Sequence, residues 1–88
     1  MNTAPISTAT CNWKASYVAL AALLTRRRAA LRISQEVLAD QLGVGRCTFQ
    51  RWESGEIDPP AMRLFQWASL VGVNIAPDMA QPASGRAA

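Results

Sequence analysis

Gln35 to Ser54 read QEVLADQLGVGRCTFQRWES, and this stretch decides the fold. Apolar side chains fall at Val37, Leu38, Leu42, Val44, Phe49 and Trp52, which is helical spacing on both sides of a break and not the alternation of a strand. Small Ala39 suits a close helix crossing, and Gly43 suits the turn. Ser34 precedes the first apolar residue and can cap a helix with its hydroxyl, while Glu36 suits the positive end of that helix. The first of the two helices is therefore predicted to start at Gln35. Gly43 can close it in the left-handed conformation. Gly45 is an acceptable cap for the second, which should run from Arg46 to about Ser54 and stop at Gly55.

Two short helices joined this way form a helix-turn-helix, in which the second helix enters the DNA major groove. With Phe49 and Trp52 turned inward, Arg46, Cys47, Gln50 and Arg51 are left outside. These four are the candidate base-contacting residues. An arginine can donate two parallel hydrogen bonds to guanine, and a glutamine matches the donor and acceptor of adenine. The outward row carries no acid before Glu53, unlike an ordinary solvated helix.

Ser34-Gln35-Glu36, Leu38-Ala39, Leu42-Gly43-Val44, Arg46, Thr48, Trp52-Glu53-Ser54-Gly55 and then Pro59 together resemble the Cro/CI-type (XRE, lambda-repressor-like) helix-turn-helix domain. The likeness covers roughly Leu20 to Val73. It implies a compact all-α domain of four helices, with a fifth, over Asn74 to Met79, made short or absent by Pro77. It also implies that Gln35 contacts a phosphate and steadies the first reader, Arg46. Arg28 would pair with Glu53. Thr48 and Arg28 are further candidate phosphate contacts.

Two more departures from the family pattern stand out. Gly45 takes the place of the usual Ser or Thr cap, which loosens the start of the recognition helix by about a few tenths of a kcal/mol. Arg27 stands where a buried leucine is usual, so either its stem lies along the core edge with the guanidinium in water or the first helix is rotated.

Outside the motif, the first long helix should begin after Asn12 and end near Leu31, burying Trp13, Tyr17, Leu20, Leu24 and Leu31 on one face. Trp13 and Tyr17 either fill the space left by a shortened fifth helix or form part of a dimer contact. Gly55 to Pro60 reads as a loop, and Pro60 to Val71 as a last helix with core residues Met62, Leu64, Phe65, Trp67, Ala68 and Val71. The organisation expected is an arm over residues 1–11, the domain over 12–76, and a disordered tail over 77–88.

Composition narrows the function. The chain has 88 residues, half of them apolar, enough for one small helical domain. Seven of its nine basic residues lie between Arg26 and Arg63, which favours a phosphate-bearing partner such as double-stranded DNA. Two distant cysteines and no histidine exclude a zinc site, and no cofactor is expected. Cys47 is read as a small contact residue in preference to a redox sensor. The apolar run Tyr17 to Leu24 is too short to span a bilayer, and its arginines follow it, unlike a signal peptide. A cytoplasmic setting with free thiols follows. No histidine, no phosphate-cradling glycine loop and no nucleophile beside a base argue against an enzyme. The function expected is a sequence-specific transcriptional regulator, a repressor binding a two-fold site as a homodimer. The alternative is an antitoxin-type interaction protein that binds a partner toxin and represses its own operon.

Overall fold

The computed structural model describes residues 12–77 and contains four helices: α1 (Trp13–Ala30), α2 (Gln35–Leu42), α3 (Arg46–Ser54) and α4 (Ala61–Leu70). The arm over residues 1–11 and all but the first residue of the expected tail lie outside the described residues. Local chemistry sets the helix ends. The Asn12 side chain accepts from the Ala15 N–H at 3.1 Å, and the Ser34 hydroxyl accepts from the Val37 N–H at 3.0 Å. At Gly43 (φ 74°) the chain turns left-handed, the Gly43 N–H returning to the Asp40 carbonyl and the Val44 N–H to the Ala39 carbonyl. A side chain there would be strained, which is why glycine ends α2. The end of α1 is less economical. Arg32 takes φ 61°, a conformation unfavourable for a residue with a Cβ, while its N–H and that of Ile33 satisfy the Ala29 and Arg28 carbonyls.

The core is a single cluster drawn from all four helices: Leu24 of α1, Leu38, Ala39 and Leu42 of α2, Phe49 and Trp52 of α3, and Trp67 and Ala68 of α4 with Val71 beyond it. Phe49 sits at its centre. Its ring meets Trp67 edge-on at 5.1 Å and Trp52 at 6.1 Å, arrangements favoured by the aromatic quadrupole. Ala39 is 1% exposed, so α2 lies close against its neighbours, as its small side chain requires.

Several residues expected in the core lie outside it. Val37, Leu31, Met62 and Phe65 are exposed, and Trp13 is 74% exposed. On α4 the buried row is Leu64, Trp67, Ala68 and Val71, which share one face at helical spacing, while Met62 and Phe65 lie on another. Both rows are apolar, so hydrophobicity alone does not choose between them. Val37 is one residue off the Leu38–Ala39–Leu42 stripe. Trp13 lies in the first turn of α1 and stays largely exposed beside Gly55 and Asp58.

Two questions left open by the sequence are answered here. No fifth helix forms over residues 73–77; Val73 and Ile75 instead pack against the core as irregular chain, and Asp78 and Met79 are outside the described residues. Arg27 does not extend into water. Its Nε donates to the Val71 carbonyl at 3.1 Å, placing a cation at the negative end of α4. Gly72 (φ 80°) makes room for it, since a Cβ there would lie 3.2 Å from the Arg27 Nη2.

Trp13 and Tyr17 do not fill a space left by the fifth helix. With Lys14, Val18, Gly55 and Asp58 they line a cleft between α1 and the loop after α3. The Tyr17 hydroxyl is buried there without a hydrogen-bond partner. Burial, and then the Asp58 charge, raise its pKa above the ordinary 10.0. Because the folded form resists losing this proton, its contribution to stability is intact below the ordinary value of 10.0 and is lost as pH rises from there through the folded value. Tyr17→Phe removes both the unpaired hydroxyl and the ionisation. Urea unfolding should find it equal to the parent at pH 7 or more stable by up to about 1 kcal/mol, with a smaller loss of stability above pH 10.

Candidate nucleic-acid interface

The outer edge of α3 is set by the inward anchoring of Phe49 and Trp52, both buried. With those two fixed, Arg46, Cys47 and Arg51 are exposed and Gln50 and Thr48 are half-buried. Gly45 caps the helix with its backbone alone and no side-chain hydrogen bond. Cys47 is a free thiol on this edge. Arg51 comes within 3.9 Å of Glu56, but both side chains are more than half exposed, so solvent screens the pair and leaves the guanidinium available. Glu53, the acid within the helix, is turned away from the edge and is 5% exposed.

Behind that edge is a chain of charged and amide groups crossing three elements. Arg28 on α1 grips Glu53 with two bonds, Nε to Oε2 at 2.7 Å and Nη2 to Oε1 at 3.1 Å. Its Nη1 donates to the Ile33 carbonyl at 2.8 Å, tying in the turn between α1 and α2. The Gln35 Nε2 donates to Glu53 Oε1 at 2.8 Å, and the Gln50 Nε2 donates to Gln35 Oε1 at 3.1 Å. Each carboxylate oxygen of Glu53 is thus occupied. Such forked, charge-assisted bonds combine strength with fixed orientation.

Two of the candidate contact residues, Gln35 and Arg28, are held by bonds inside the fold. Gln35 is attached to Gln50 in the middle of α3 and not to Arg46 at its start, because Glu53 draws the Gln35 amide along α3 away from the first turn. Arg28 has three nitrogens bonded inside the fold and is only 15% exposed. Neither the Gln35–Gln50 link nor the Arg27–Val71 bond is among the contacts expected from the sequence. For the first there was a signal: Gln50 and Glu53 are three apart, on one side of a helix.

Around this edge the described residues contain no group of acids, histidines and cysteines able to hold a metal, and no helix long and apolar enough to cross a membrane. Arg26 and Arg32, at the end of α1, are exposed.

Four helices, the left-handed turn at Gly43 and an exposed second motif helix define a helix-turn-helix domain. A family model described as a helix-turn-helix domain matches residues 19–78, and the chain belongs to that family, which is XRE/Cro-like. Such a domain suggests DNA binding, and its family is typically non-enzymatic. Comparison with curated proteins and with solved structures gave no match.

Truncating Glu53 would leave the Arg28 guanidinium without its counter-charge and Gln35 without its anchor. Glu53→Ala should therefore cost about 3 to 5 kcal/mol in chemical unfolding. Stability equal to the parent would mean that the pair carries no structural load.

Proposed function

We propose that this chain is a sequence-specific regulator of transcription that binds double-stranded DNA and represses by occupying its site. The observation that carries the reading is the outer edge of α3: Arg46, Cys47 and Arg51 are exposed, Gln50 is held beside them, and the acid of that helix is turned inward. A helix edge of cations and amides, with Glu56 of the following loop beside Arg51 as the acid near it, suits the major groove, where arginine reads guanine and glutamine reads adenine. Arg46, Cys47, Gln50 and Arg51 are the base contacts in this reading. Thr48, the second N–H of the Gln35 amide, and the exposed Arg26 and Arg32 serve the phosphates. Arg28 is assigned to the ion pair alone.

A two-fold site bound by a homodimer follows from the way helix-turn-helix domains pair, with half-sites about one turn of DNA apart. Exposed apolar residues support a protein contact of some kind: Trp13 and Val18 on α1, Met62 and Phe65 on α4. The same residues favour a second reading, an antitoxin that covers a partner protein. Sedimentation of the purified chain distinguishes the two, since a repressor of the first kind dimerises alone or on its duplex, whereas an antitoxin is completed by the product of a neighbouring reading frame.

Selection from a random duplex pool tests the main reading directly. A two-fold consensus is expected, with affinity that falls steeply as salt rises. Arg51→Ala should relax the preference at one base position at a cost of about 1 to 3 kcal/mol, measured by titration against single-base variants. A purified chain that binds no duplex at low salt would overturn the proposal.

A further inference from the structure

Among the outward residues of α3, Gln50 alone is tied into the hydrogen-bond chain that ends at the buried ion pair. That chain has a direction. A carboxylate gripped by a guanidinium offers acceptors and no donor. Glu53 Oε1 already accepts from Arg28 Nη2 at 3.1 Å and from Gln35 Nε2 at 2.8 Å. Were the Gln35 amide turned over, its oxygen would face a carboxylate oxygen, lone pair against lone pair. Gln35 is therefore held in one sense, with its own oxygen facing α3. That oxygen in turn requires a donor from Gln50, and the Gln50 Nε2 supplies it at 3.1 Å. The Gln50 amide is consequently fixed as well, its nitrogen toward the protein and its carbonyl oxygen on the opposite side.

We propose that the Arg28–Glu53 ion pair, acting through Gln35 as a positioning residue, sets which group Gln50 presents to DNA, so that its carbonyl oxygen selects a base bearing an exocyclic amine. This rests on the reading of α3 as the recognition helix. In the major groove adenine and cytosine present an amine donor, whereas guanine and thymine present carbonyl acceptors at the corresponding edge. An outward oxygen matches the first two and opposes the others. The N–H that Gln50 retains adds the second half of the adenine pattern, an acceptor at N7. With the amide turned over, an outward NH2 would instead favour guanine or thymine. The specificity at this base is thereby written partly by residues that never reach the groove.

The test uses the full chain and the duplex it selects. The base read by Gln50 is the one whose preference vanishes in Gln50→Ala. At that position the parent protein should prefer adenine or cytosine over guanine or thymine by roughly tenfold or more. Gln35→Met keeps the side-chain length and removes both polar groups. It should reduce that preference to less than about threefold, in addition to a uniform loss of affinity for every duplex from the missing Gln35 phosphate contact. In the free protein, one proton of the Gln50 side-chain amide should exchange slowly by NMR in the parent and rapidly in Gln35→Met. A parent preference for guanine or thymine would overturn the proposal. So would a Gln35→Met variant that binds every sequence more weakly with its preference intact, which would make Gln35 a phosphate contact only. Failure of the parent to bind any duplex defeats the DNA reading itself, an outcome distinct from a bound duplex whose preference does not move.

Discussion

The Arg28–Glu53 ion pair is the constraint on which the arrangement of this domain depends. Arg28 lies on α1 and Glu53 on α3, and the remaining bonds of the pair reach the α1–α2 turn at Ile33 and the start of α2 at Gln35. One guanidinium and one carboxylate thus hold three helices in register around a core whose apolar contacts are nondirectional. Burial of Leu24, Leu38, Phe49 and Trp67 drives collapse, but fixes the rotation of α3 less strictly than a forked ion pair does. An apolar pair of similar volume could be just as stable. What it could not supply is a fixed direction for the amides beyond it.

The rest of the scaffold supports α3 in the same way. Phe49 and Trp52 anchor its inner face, and Trp67 closes over Phe49 from α4. Arg27 then joins α1 to the end of α4 through the Val71 carbonyl. The irregular segment with Val73 and Ile75 covers the core beyond. Two adjacent arginines on α1 therefore serve opposite ends of the bundle, one facing α3 and the other the end of α4.

Much of this was legible in the residues. Ser34, Gly43, Gly45 and Gly55 mark the ends of the motif helices because capping and left-handed turns are local chemistry, and the helix bounds agree closely with those signals. The Arg28–Glu53 pairing rested on family resemblance, and the geometry brings the two together. The faces of α1 and α4 were harder to read. Trp13, Met62 and Phe65 are as apolar as the residues that are buried, and only the three-dimensional extent of the bundle decides which row is covered. The fate of Arg27 and the Gln35–Gln50 bond depended on contacts across 44 and 15 residues of sequence, which periodicity does not report.

The joints on either side of α3 have an evolutionary consequence. Gly43 and Gly55 both turn left-handed, so α3 is a segment clamped at its ends, with Phe49 and Trp52 as its buried apolar side chains. Among the described residues, Arg46 and Cys47 make no side-chain bond to the fold, and Arg51 makes one loose, solvated contact. On the proposed reading of α3, drift at those three positions retargets the domain at small structural cost. Gln50 is not free in this sense, because its neighbour's orientation is inherited from the interior. On that same proposed reading, descendants of this chain would diversify their sites around one slowly changing letter.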